Sequence, residues 1–215
     1  MISWTSLLVF LLCSAVTPSL GCDWLRNYGH LSNTSLTLIQ HMGGQLTDEE
    51  SPVSFPYRLY QCIKSDEMES QLAFARDSLE LIAGLYRHEN RSSATWDTDE
   101  TERFLMTIDR QTDVLKSCVS TQSRKDSRLR RYYRRLVKST LYRTGGSPAS
   151  WELIRKESKL HLDQLDLLVG FVVDSATDSR RRSTDSRRRS TDSRRRSTNS
   201  RRRSTATPKQ MLFCH

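Results

Sequence analysis

Five histidines, at positions 30, 41, 88, 161 and 215, are the first residues to consider for proton transfer or metal binding. None lies in a His-Glu-x-x-His run, at metal-ligand spacing or beside a nucleophile motif. The sequence therefore gives no catalytic site, no metal site, no cofactor and no reason to read an enzyme. His161 borders an apolar helical face and reads as a packed or rim side chain. The cysteines offer different chemistry. Cys13 falls in an apolar N-terminal stretch, leaving Cys22, Cys62, Cys118 and Cys214 for disulfides if the chain meets an oxidising compartment. A third group, Glu152, Arg155, Lys156, Glu157 and Lys159, crowds charges onto one short segment, which is the chemistry of recognition.

The element that must position those charges runs from Ser147 to Val173. Gly145-Gly146 breaks the chain before it, Ser147 can cap, and Pro148 suits the first helical position, where its missing N–H costs nothing. Apolar residues recur at Trp151, Ile154, Leu162, Leu165, Leu168, Val169 and Val172, with a second row at Leu153, Leu160, Leu167 and Phe171. Two rows make a face wider than a surface helix needs, so this helix should pack against several others.

The 215 residues suit one ordinary domain with an attachment. The formal charge is +9, but residues 177–215 carry a net +10 and residues 1–176 a net −1. The basicity belongs to the tail, and nothing in the near-neutral remainder argues for nucleic acid. Residues 1–21, with Leu7 to Leu12 as a short apolar core and small residues up to Gly21, read as a secretory signal peptide, though a positive n-region is missing. Cleavage there would make Cys22 the first mature residue, and no other stretch reaches the ~20 apolar residues of a membrane span. Asn33 and Asn90 head glycosylation sequons that fit a secreted, extracellular protein.

Between these ends the periodicity predicts helices and no strand. The first covers Cys22 to Met42, followed by a long irregular connection from Gly43 to about Lys64, in which Pro52 and Pro56 argue against helix. The second carries Met68, Leu72, Ala75, Leu79, Ile82 and Tyr86, with Asp66 and Glu69 spaced as a capping pair. A third starts near Asp97 and ends at Cys118, and a fourth, basic on one side, runs from about Lys125 to Tyr142. The fold class is all-α. The first connection is long enough to return along the bundle, which predicts an up-up-down-down bundle of five helices of the cytokine type. In that arrangement Cys22 and Cys118 meet. Their bridge would close a loop of about 96 residues and stabilise by about 4–5 kcal/mol in the chain-entropy model. Cys62 is either a buried free thiol or the partner of Cys214.

The signal peptide, the cysteine at the mature start, Phe55-Pro56 in the first loop, Cys118, and Ser150-Trp151-Glu152-Leu153-Ile154-Arg155-Lys156-Glu157 together resemble a type I interferon over residues 1–176. A single bridge, with no cysteine beside Trp151, is similar to the two-cysteine group of fish type I interferons; Cys62 and the Arg-rich repeat tail depart from it. The resemblance implies an antiviral cytokine that bridges a two-chain class II cytokine receptor and triggers kinase-linked signalling. It implies high-affinity receptor binding by the first loop and by Arg155, Lys156, Lys159, Leu160 and Asp163, with Arg155 and its exposed guanidinium foremost. Asp48, Glu49 and Glu50 are weaker loop positions. The second receptor chain would contact helices two to four.

Residues 177–215 hold Asp-Ser-Arg-Arg-Arg-Ser-Thr three times, at 178–184, 185–191 and 192–198, and an Asn-headed copy at 199–205. The period is seven, yet no position is aliphatic, so no coiled-coil seam forms and the tail reads as disordered. It either has no selected role or adheres to sulfated glycans and other polyanions. A secreted cationic protein acting through this tail is the alternative to the cytokine.

Overall fold

The computed structural model describes residues 22–120 and 125–193, which form helices and connections with no strand. Residues 1–21, expected to be a signal peptide, lie outside the described residues, as do Cys214 and the last repeats. Contacts divide the chain into a unit ending at Gly170 and another beginning at Phe171. No described helix is long and apolar enough to cross a membrane.

α1 (Asp23–His41) buries Trp24, Tyr28 and Ile39. Ser35, which falls in its apolar register, is buried because its hydroxyl is satisfied twice. It donates to the Leu31 carbonyl at 3.0 Å and accepts from Gln111 Nε2 at 2.8 Å. The connection that follows is not wholly irregular: α2 spans Tyr57–Lys64 and buries Leu59, Tyr60 and Ile63. Pro56 stands at its N-cap, where proline starts a helix instead of breaking one, and the buried residues have i, i+1, i+4 spacing.

α3 (Met68–Tyr86) is buried on nearly every side from Gln71 to Leu79 and is the central helix. Its N-cap is Glu67 with no side-chain bond, so Asp66 and Glu69 do not form the expected capping pair. The Asp66 carbonyl instead accepts from Gln71 Nε2 at 2.8 Å. A 3-10 turn (Glu89–Ser93) leads to α4 (Thr98–Cys118), where the Asp97 carboxylate accepts from Glu100 N at 2.8 Å. α5 (Ser127–Val137), capped by Asp126, is shorter than its sequence pattern and passes into a π-helical stretch at Lys138–Tyr142. There Thr140 Oγ1 donates back to the Leu136 carbonyl at 2.6 Å, one of the hydroxyl bonds that loosen a helix locally. Gly145 and Gly146, at φ 65° and 73°, then reverse the chain.

α6 (Pro148–Ser193) starts as its sequence predicts, with Ser147 Oγ accepting from Ser150 N at 3.3 Å. It does not stop near Val173. The helix continues through Ser193 into the repeat, in contrast to the expected disorder from residue 177. The repeat contains no proline or glycine, arginine is a good helix former, and an existing helix extends without a new nucleation cost.

Cys22 and Cys118 are bridged, with Cα atoms 5.2 Å apart, and Asp97 N donates to the Met42 carbonyl at 2.7 Å. The start of α1 thus meets the end of α4 and its end meets the start of α4, so the two are antiparallel. Ser120 N reaches Glu69 Oε1 at 3.1 Å, which sets α3 antiparallel to α4 as well. Ser32 Oγ donates to Asp166 Oδ1 at 2.7 Å, while Arg155 lies at the end of α1, so α6 also runs against α1. Cys62, half-buried on α2, is disulfide-bonded and not a free thiol, and its partner lies outside the described residues.

Candidate functional site

The charged segment of α6 separates into two sets with different surroundings. Arg155 is fully buried, which corrects the expectation of an exposed guanidinium. The cause is the end of α1. The last carbonyls of a helix have no partner within it, and Arg155 Nη1 donates to those of Ile39 and Gln40, both at 3.3 Å. Nη2 donates to the Gly44 carbonyl at 2.6 Å, and Nε to Glu152 Oε2 at 2.9 Å. The rigid fork of five donors suits such a set, and Glu152 supplies the countercharge. Glu152 Oε1 in turn accepts from Trp96 Nε1 at 2.6 Å. Trp151, the first residue of the apolar row, is wholly buried, 5.7 Å from the Trp96 ring.

Gly43 belongs to this junction for lack of space. A Cβ there would lie 2.9 Å from Trp96 Cδ1 and 3.1 Å from Arg155 Cζ. Gly43, where the sequence starts the first connection, is thus a site of close approach. The sequence gives no sign of Trp96 in this role, and it marks Glu152 and Gly43 only as a charge on α6 and the start of the first connection. Glu152 stands three residues before Arg155 on one helix, a spacing that favours an ion pair, and this was the available signal.

Two further ties hold the first loop against α6. Lys156 Nζ donates to the Glu49 carbonyl at 2.7 Å. Deeper in, the Tyr60 hydroxyl and His161 Nδ1 are 2.6 Å apart, and the Phe55 ring centroid lies 4.5 Å from the imidazole. His161 is buried among Phe55, Tyr60, Tyr132 and Tyr133, and burial pushes its pKa down to about 3, so the ring is neutral. It is a core histidine, as its place beside the apolar face suggests. Burial also raises the pKa of Glu157, which accepts from the Tyr132 hydroxyl at 2.5 Å and joins α6 to α5.

Lys156, Lys159, Leu160 and Asp163 are half-buried and lie along the outer side of α6. Lys159 pairs with Asp163 at 2.8 Å. Leu167, which the sequence assigns to the core, is 65% exposed and continues this line one turn beyond Asp163. It follows Leu160 by seven residues, two helical turns, so both sit on one stripe. Asp48, Glu49 and Glu50 are exposed on the adjoining loop. Asn33 is exposed on α1, and Asn90 falls in the 3-10 turn.

Residues 26–170 match the family model of the interferon alpha/beta domain. The chain is 40% identical to interferon a3 of Oncorhynchus mykiss over 77% of its own length and 94% of the relative's. It is 27% identical to interferon omega-1 of Bos taurus over 71% and 85% of the two chains. The solved structure of zebrafish interferon 1 superposes with a TM-score of 0.63 at 33% identity, covering 70% of this chain and 99% of that one. The chain belongs to the interferon alpha/beta family, with its helical cytokine fold, and is a cytokine and not an enzyme.

Proposed function

We propose that the protein is a secreted antiviral interferon that bridges two receptor chains and triggers kinase-linked signalling through them. Residues 1–21 act as the signal peptide, 22–176 as the cytokine domain and 177–215 as an appended tail. The high-affinity receptor chain meets the first loop together with the outer strip of α6: Lys156, Lys159, Leu160 and Asp163, joined by Leu167. Arg155 serves this face from beneath, as a positioning residue. The second chain meets the side formed by α3, α4 and α5.

The observation that supports this best is the attachment of the loop to α6 at Gly44, Glu49 and Tyr60, which makes loop and strip one surface. Apolar Leu160 and Leu167 among charges give that surface the make-up of an interface centre. The test is recombinant protein on receptor-bearing cells, with antiviral gene induction as readout, for the full chain and for a chain ending at Thr177. Induction by both supports the proposal. Loss of induction with the tail would favour the cationic-tail protein instead.

A further inference from the structure

The outer face of α5 is no part of the surface that the first loop forms with α6. The helix buries Leu129, Tyr132, Tyr133 and Leu136 on one side. Its other side exposes Arg130, Arg131, Arg134, Arg135 and, in the π-helical stretch, Lys138. At 100° per residue these five occupy an arc of about 140° over about 12 Å of helix. From Ser127 to Trp151 there is no Asp or Glu. None of the five has a carboxylate partner among the described residues, whereas Arg128 beside them pairs with Asp126 at 3.2 Å. The pairs 130/134, 131/135 and 134/138 are like charges at i, i+4, and each opposes helix formation. α5 therefore keeps a cationic stripe at a cost to its own stability, on a unit whose net charge is close to zero only with the stripe counted.

We propose that this stripe binds a linear sulfated polysaccharide. Four of the five cations are arginines, whose planar forks take the oxygens of a tetrahedral oxyanion in pairs. They follow one another along one helix and into its π-helical end, which suits a chain of repeated anions better than one isolated anion. Tyr142, 66% exposed, stands at one end of the arc, but no row of rings runs along it for stacking successive bases, as single-stranded nucleic acids need. The arc has no apolar residue for insertion into a lipid surface. Charge complementarity alone selects the partner.

The test uses the full chain, because the arginine repeats will also bind polyanions and must stay constant. Arg131→Ala/Arg134→Ala/Arg135→Ala is compared with a variant losing three arginines at 180–182, by affinity for a size-defined heparin oligosaccharide at several salt concentrations. The α5 variant should bind about tenfold or more weakly near physiological salt, with the slope of log K against log salt lower by roughly two. A matching Arg→Lys triple variant should recover most of the affinity, and near-UV circular dichroism should be the same for all. Three results would overturn the proposal: unchanged heparin affinity in the α5 variant, loss confined to the tail variant, or tighter binding of a single-stranded DNA of equal charge that the α5 variant abolishes. Lost signalling with unchanged heparin affinity would assign the stripe to a receptor and overturn it equally.

Discussion

Arg155 and Gly44 are 111 positions apart in the chain, yet the guanidinium of the first donates to the carbonyl of the second at 2.6 Å. The cation that looks most suited to a receptor is occupied within the molecule. Arg155→Ala should therefore destabilise the domain by about 3–5 kcal/mol, since it leaves Glu152 and three carbonyls without their donor. Arg155→Lys should recover only part, because an ammonium cannot reproduce the fork. Urea unfolding measures both. A thermal midpoint equal to wild type in the alanine variant would show the side chain to be free.

Leu160→Ala and Leu167→Ala should do the reverse. Leu167 is 65% exposed, so its loss changes stability little. If the strip is the interface centre, either change should weaken binding to the high-affinity receptor ectodomain by about 2 kcal/mol. Surface plasmon resonance with matched unfolding curves separates this from misfolding, and full affinity in both variants would remove the strip from the interface.

Gly43→Ala asks whether the junction has room to give. With Trp96 Cδ1 at 2.9 Å from the added Cβ, an indole or a guanidinium must move, at about 1–3 kcal/mol. Gly44→Ala, where nothing lies within 4 Å, is the control and should be close to neutral.

Acid should destabilise the domain through His161. Its folded pKa of about 3 lies below the ordinary 6.5. Below pH 6.5 the unfolded chain takes up a proton that the folded one refuses, down to about pH 3. The stability is thus whole above pH 6.5 and falls with decreasing pH by about 1.4 kcal/mol per unit. Glu157, whose folded pKa is raised above 4.5, acts in the opposite direction above that value, so the comparison must be made with a variant that keeps it. His161→Gln keeps an acceptor for Tyr60 and should flatten the slope in urea titrations. An equal slope in both proteins would place the sensitivity elsewhere.

Cys118→Ser should cost a few kcal/mol, because the bridge closes a 96-residue separation. Non-reducing peptide mapping should find Cys22 joined to Cys118, and any other partner for Cys22 would contradict the fold's antiparallel α1 and α4.

How far the sequence discloses this molecule depends on the range of the interaction. The Ser147 cap, the Asp97 start and the helical periods are local, and the structure contains them. The Cys22–Cys118 bridge was legible because loop length constrains which helix ends meet. α2 is hard to read in the sequence because Pro52 and Pro56 argue against helix just before the short apolar spacing of Leu59, Tyr60 and Ile63. The exchange of roles between Arg155 and Leu167 had no local sign. Which of two helical sides lies under the first loop is decided by the end of α1, and no spacing within α6 reports it.

The three attachments of the first loop to α6 also bear on the energetics of association. Fixing a backbone residue costs about 1–2 kcal/mol of conformational entropy. Here that loss occurs on folding, so a partner meets a preorganised loop and need not supply the cost from its own contacts. Changes at Gly43, Glu152 or Trp96, none of which need touch a receptor, would return that freedom to the unbound state. Affinity would then fall with every contact residue still in place.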